Sequence, residues 1–305
     1  MANITNSTLA FYSRSNTQMS VIRRDAETLQ SRLSSGSRLI RSSEDPVAAS
    51  RLRSLDRIDR LANIDAANAA RAKDGLSLSG NALASVAEDM VRVRELALWA
   101  SSDTLSNQQR ESLGQEIAQL RLSILASINS RDTGGRPLFA GEADVAAYVL
   151  DAGGNATYQG TATSGDVSLG EGQSVTRGVT GPEFLNFNFN GVPTDLLAFM
   201  KTLGDALQGG AVDPAGVASG SISGLDDALE ALTKTQTLVG TRLAWIETVQ
   251  DRQTTKSISV AEEKADVGGV DLGSTISELQ QMLTVLEASQ AGFSRLSSLS
   301  LFNAI

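Results

Sequence analysis

The side chains that usually carry catalysis are scarce in this sequence. It contains no His and no Cys, which removes the imidazole base, the thiolate nucleophile and any His/Cys metal cage. Carboxylate chemistry remains. Glu44/Asp45, Glu88/Asp89, Asp226/Asp227 and Glu262/Glu263 are adjacent acidic pairs with the residue types of a hydrolytic dyad. Neighbours on a helix point in different directions, so such pairs cannot converge on one substrate atom and read as solvated faces. The Gly-rich stretches GVDLGST (Gly269 to Thr275) and TGGRPLFAG (Thr133 to Gly141) could be taken for phosphate cradles. Neither carries the GKS or GKT of a P-loop, so they read as a helix break and a hairpin turn. Trp99 and Trp245 read as core or interface anchors rather than stacking platforms. No catalytic, cofactor-binding or metal-ligating residue is assigned, no cofactor is expected, and the chain reads as a non-enzyme.

The residues that stand out instead are apolar and periodic. Met19, Ile22, Ala26, Leu29 and Leu33 recur at spacings of 3, 4, 3 and 4, and Tyr12 and Ser15 extend the phase backwards. Near the other end, Ile276, Leu279, Leu283, Leu286 and Phe293 follow the same rule, with Gln290 in register. This is the spacing of a coiled-coil seam. One such helix cannot bury its stripe alone, so these ten apolar residues are the candidate assembly interface, and the terminal seams are expected to order on assembly.

The elements that would position them follow from proline placement. Pro46, Pro137, Pro182, Pro193 and Pro214 leave 47–136 and 215–305 free of proline, which suits long helices. SSGSR ends the first seam, and Asp45-Pro46 restarts a helix with Asp45 as N-cap and Pro46 at the first position. That helix is expected to reach about Ser101, with Leu83, Val86, Met90, Val93, Ala97 and Ala100 as its buried line and a bend near Gly75 or Gly80. Ser106 with Gln109 forms a capping box for a third helix burying Leu113, Ile117, Leu120 and Ile124. From Gly134 to about Asn190, short alternating runs and Gly turns predict a small antiparallel β domain, with the three Phe of FLNFNFNG on one face. Helix returns at Asp195–Leu207 and again from about Leu225, whose line is Leu225, Leu229, Leu232, Gln236, Val239, Leu243, Ile246 and Gln250. VGGVDLG breaks it, and Thr275 with Glu278 predicts a capping box for the last helix.

The expected fold class is mainly α with a small β insert: a long antiparallel helical bundle, terminal coiled-coil helices and a central antiparallel β domain. The expected division is 1–43 with 266–305 as terminal assembly domain, 44–136 with 191–265 as long-helix bundle, and 137–190 as β-rich insert. The net charge of −9 argues against general nucleic-acid binding. The charge is uneven: residues 1–60 carry ten Arg against six acids, and 241–305 carry five bases against eight acids. The opening MANITNSTLAFYSRSN lacks the basic-then-apolar run of a secretory signal, and no apolar stretch is long enough for membrane insertion.

RLSSGSRLIRSSEDPVAASRLRSLD (Arg32 to Asp56) resembles the N-terminal signature of the flagellin superfamily. Asp45-Pro46-Val47-Ala48-Ala49 and RPLFAG (Arg136 to Gly141) resemble its hook–filament junction proteins more than flagellin. VRVRELAL, SNQQRESLGQEIAQLR, TYQG and the ending ISELQQMLTVLEASQAGFSRLSSLSLFNAI fit in the same order. The resemblance implies an extracellular subunit at the hook–filament junction that forms a ring with itself. Hook-associated protein 1 would lie on the hook side and flagellin on the filament side. It also implies type III export without a cleaved signal, after shielding by a flagellar export chaperone. Two alternatives stay open, flagellin itself and a helical scaffold or signalling protein.

Overall fold

The computed structural model describes residues 2–302, with side chains described over 10–295. Asn303–Ile305, which close the resembling C-terminal segment, lie outside the described residues. The chain is mainly helical with three small antiparallel strand pairs, the expected fold class. It divides into two compact units, Met1–Arg60 with Thr255–Ile305, and Leu61–Thr254.

The first unit holds α1 (Ala2–Ser35), the start of α2 (Pro46–Ala100), the end of α6 (Pro214–Gly268) and α7 (Leu272–Phe302). Asp45 caps α2 as expected, its Oδ1 accepting the Ala48 N–H at 3.0 Å. Leu55 is buried where the start of α2 faces the end of α6, beside the Arg51–Glu263 and Lys264–Asp59 ion pairs. The last helix begins earlier than the proposed Thr275 box. Asp271 accepts the N–H groups of Gly273 (2.9 Å) and Ser274 (3.2 Å), and Thr275 turns inward at 6% exposure. An Asx cap directly behind the Gly break satisfies the free donors first, which leaves Thr275 no capping role.

In the second unit the rest of α2 and α6 pack with α3 (Asn107–Ile128) and α5 (Leu196–Asp205). The α2 line Leu83, Val86, Met90, Val93, Ala97 and Ala100 is wholly buried, as are Ile117 and Ile124 of α3. The α6 positions Leu225, Leu232 and Ile246 join them. The helix α2 runs through Gly75 and Gly80 without a break. Packing of the residues between and beyond them outweighs a propensity cost of about 1 kcal/mol per Gly. The Ser106–Gln109 box is present, with Ser106 N–H donating to Gln109 Oε1 at 2.9 Å.

Helix α6 starts at Pro214, eleven residues before the expected Leu225. Asp213 caps it by accepting the Gly216 N–H at 2.9 Å, and Ala218 and Ser221 are already buried. The Gly-rich link is therefore helix from Pro214 on, and within it Gly224 lies where a Cβ would meet Phe189 and Phe199. Similarly, α5 continues past Asp205 into a π turn, Ala206–Gly210, closed by Gly209 at φ +101°.

The hairpins are β1 (Tyr148–Leu150) with β2 (Ala156–Tyr158), β3 (Asp166–Gly170) with β4 (Gln173–Thr176), and β5 (Asn186–Phe189) with β6 (Val192–Asp195). Their turns fall where Gly signalled them; Glu171 and Gly172 supply the positive φ between β3 and β4. The FLNFNFNG reading needs correction. Phe184 lies in the short helix α4 (Gly181–Leu185) and packs edge-on against Phe139, while Phe187 and Phe189 meet Phe199 instead. A Thr180–Glu183 capping box starts that helix, so the backbone turns before the strand period begins.

Buried donors fasten the hairpins to the helices. Arg121, 8% exposed, donates to Leu197 O and Gly154 O, both at 2.6 Å, and burial holds its guanidinium below its ordinary pKa. Arg242 reaches Gly178 O at 2.7 Å, and Gln253 reaches Leu169 O at 2.6 Å. The Gly154 and Gly178 carbonyls lie in loops, where these side chains are the partners that pair them.

Candidate assembly interface

The two terminal seams lie against each other. Tyr12, near the start of α1, meets Phe293, near the end of α7, edge to face at 5.3 Å. At the opposite end the two breaks join: Arg38 N–H donates to Gly268 O (2.8 Å), Val270 N–H to Gly36 O (3.1 Å), and Ser37 forms an isolated antiparallel bridge with Gly269. The helices therefore run antiparallel, and SSGSR and VGGVDLG are one paired hinge rather than two loose loops. Gly36 takes φ +67° there, a region that L side chains avoid. The loop after α1 folds back on it through Arg32–Glu44 (3.1 Å) and Arg38–Asp45 (3.2 Å). The Ala48 N–H first, then Arg38, holds the Asp45 carboxyl below its ordinary pKa against a desolvation cost.

On α1, Ala26 and Leu29 are buried and Met19, Ile22 and Leu33 half-buried, so all five candidates share one stripe. On α7 the stripe differs from the candidate list. Leu279, Leu286 and Phe293 belong to it, but the covered positions between them are Thr275, Met282 and Ser289. Ile276 and Leu283 lie beside it, each 45% exposed, and Leu272 at 56% continues that flank. A spacing of 275, 279, 282, 286, 289, 293 is as regular as the one chosen from sequence. On that line Thr275 and Ser289 are polar, whereas Ile276 and Leu283 beside it are apolar. The α7 helix thus carries an apolar face wider than one partner helix covers.

The candidates for chemistry fall elsewhere. Glu44 and Asp45 tie down the loop after α1, Asp226 pairs with Arg94 and Glu263 with Arg51, where the arginine hydrogen bond lowers the carboxyl pKa. Among the described residues no group of three or more His, Cys, Asp or Glu could hold a metal ion. Trp99 and Trp245 are not core: they are 53% and 39% exposed, each under an arginine, Arg92 and Arg252, at 5.2 Å. The buried line of each helix passes to one side of them, through Ala100 and Ile246.

Residues 7–144 match the family described as the bacterial flagellin N-terminal helical region. That match takes in α1, the long α2 and α3, a little under half of the chain. Flagellar hook-associated protein 3 of Escherichia coli K12 is 27% identical over 287 residues, covering 88% of this chain and 90% of that protein. A structure from Vibrio parahaemolyticus assigned to the flagellar hook-associated proteins is 24% identical, with a TM-score of 0.67 over 74% of this chain and 100% of that one. FlgL of Xanthomonas campestris superposes with a TM-score of 0.63 at 18% identity, covering 69% and 99%. These two structures share the fold of this chain. The likeness to hook-associated protein 3 extends over most of both chains.

Proposed function

We propose that the chain is a structural subunit of the bacterial flagellum, forming the ring between hook-associated protein 1 and the flagellin filament and acting as mechanical adaptor and template. The observation that carries this reading is the surplus apolar face of α7. Leu272, Ile276 and Leu283 stay exposed beside a seam that α1 already occupies, as a helix that must also meet other copies requires. Met19, Ile22, Ala26, Leu29 and Leu33 with Leu279, Leu286 and Phe293 then form the intrachain half of the interface, and Ile276 and Leu283 the interchain half. Contacts, not catalysis, carry the task. Export proceeds through the flagellum-specific channel without a cleaved signal, after a chaperone has covered the C-terminal helix. A chain without Cys can pass and refold with no disulfide to reshuffle.

Deletion of the gene in its own host tests the proposal. The expected cells build hooks and shed unpolymerised flagellin into the medium, and filaments return with the intact gene. Normal filaments in the deletion strain would reject the junction role; filaments grown by the purified chain alone would point to flagellin.

A further inference from the structure

Within the first unit, the start of α2 and the end of α6 lie antiparallel. Arg51 pairs with Glu263 (2.8 Å), Lys264 reaches Asp56 (2.9 Å) and Asp59 (3.0 Å), and Leu55 and Val260 are buried. These residues occupy the facing sides of the two helices. On the side of α2 turned away from Leu55, Arg53, Arg57 and Arg60 step by 4 and 3 and are exposed. On the side of α6 turned away from Val260, Ile258, Glu262 and Asp266 step by 4 and 4, also exposed, Ile258 at 54%. None of these five charged side chains has an ion pair among the described residues, whereas Arg51, Asp56, Asp59, Glu263 and Lys264 are paired across the seam. The two-helix ribbon is therefore positive on one outer face and negative on the other.

Such a ribbon cannot dock on itself about a two-fold axis, because like faces would meet. It can dock head to tail, positive face on negative face, and that heterologous mode is the one that closes rings or winds helices. We infer that Arg53, Arg57 and Arg60 of one copy seat against Ile258, Glu262 and Asp266 of the next, fixing the lateral order of subunits. The inference rests on the junction-ring reading and names the second surface that reading needs. Exposed charge pairs add modest affinity individually but set orientation and the rate of encounter, and like-charge juxtaposition rejects wrong arrangements.

The test uses the full chain in a strain lacking the gene, scoring hooks that bear filaments by electron microscopy. The wild-type gene restores filaments. Arg57→Glu and Glu262→Arg each lower the filamented fraction about tenfold, the scale of one attraction turned into repulsion. The double variant regains most of it. Both positions are exposed, so thermal unfolding of each purified variant stays at the wild-type midpoint and a folding failure is visible as such. Because the chain has no Cys, Arg57→Cys with Glu262→Cys is a clean pair and should yield disulfide-linked copies under mild oxidation of isolated hooks. Single reversals without effect, a double variant no better than the singles, or cross-links only to a different protein would each overturn the inference while leaving the junction role intact. Failure of the wild-type gene to restore filaments would remove the junction role and this contact with it.

Discussion

Leu29→Ala separates intrachain pairing of the terminal helices from everything else the chain does. Leu29 is 6% exposed on the α1 stripe, whereas Val21, off that stripe on the same helix, is 44% exposed. Truncating a buried Leu to Ala costs about 2–5 kcal/mol. The seam has a single partner helix, so its neighbours can collapse or admit water, and the low end of about 2 kcal/mol applies. At about 1.4 kcal/mol per tenfold, that shifts the docked-to-undocked ratio by roughly 30-fold. Hydrogen exchange on the full-length monomer reads this directly. Amides of 15–33 and 275–290 should exchange roughly 30-fold faster, on the same free-energy scale. Amides around Met90 and Val93 in the other unit should keep their rates, and Val21→Ala should change exchange by no more than about twofold. Unaltered exchange in α1 and α7, or equal acceleration in both units, would refute intrachain pairing as what orders these helices.

Three further outcomes are expected. Ser106→Ala removes the Oγ that accepts the Gln109 N–H and leaves only the backbone half of the box; it should cost about 1 kcal/mol, lowering the midpoint of thermal unfolding by a few degrees. On α6 the same substitution should have opposite signs at two glycines. At Gly224 a Cβ would lie 2.6 Å from Phe199 Cζ and 2.9 Å from Phe189 Cδ2, so Gly224→Ala loses about 1–3 kcal/mol in urea unfolding, whereas Gly240→Ala points into open space and gains about 0.5–1 kcal/mol. Burial raises the Asp195 carboxyl pKa against its cap bond from Ala198. The folded state then holds the proton more tightly than the unfolded one, so stability falls as pH rises from the ordinary carboxylate range through the raised pKa. Asp195→Asn keeps a capping oxygen and should flatten that fall in a urea series across pH, with the two proteins converging in acid.

The bundle was legible wherever a buried line lies wholly inside one chain. On α2, Leu83 to Ala100 form a single apolar line with every position buried, so periodicity and burial coincide; on α6 Leu225, Leu232, Val239 and Ile246 are buried, but Ala228, Thr235 and Val249 are buried beside them in place of Leu229, Gln236 and Gln250. The resemblance to the flagellin superfamily was legible for another reason: DPVAA and RPLFAG hold special backbone sites. Asp45 caps α2, and Phe139 and Ala140 turn the chain into the hairpin region under Gly141 at φ +69°. The start of α6 was not legible. Gly216, Gly220 and Gly224 weaken local propensity, and the packing that holds the stretch, such as Gly224 against Phe189 and Phe199, is invisible to periodicity. Arg121 was also out of reach. Its role depends on two carbonyls, at Gly154 and Leu197, that only the folded hairpin and α5 bring to it.

The α7 seam shows a third kind of ambiguity, and its cause bears on function. Two heptad lines run down this helix side by side. One, through Thr275, Met282 and Ser289, is polar enough to sit against α1 without forming a greasy zipper; the other, through Leu272, Ile276 and Leu283, is more apolar yet left in solvent. A monomer selected only for its own stability would place the apolar line inward, since burying one Ile or Leu contributes about 1.5–3 kcal/mol. The arrangement found is consistent with a helix whose weaker line serves the chain and whose stronger line serves a neighbour. Ile276→Ser with Leu283→Ser should then leave the unfolding of the purified monomer within about 0.5 kcal/mol of wild type, because both positions are already exposed. The same variant should abolish filament attachment in cells. Loss of monomer stability by several kcal/mol would place that line inside the chain's own core, and retention of filaments would leave it without the proposed neighbour.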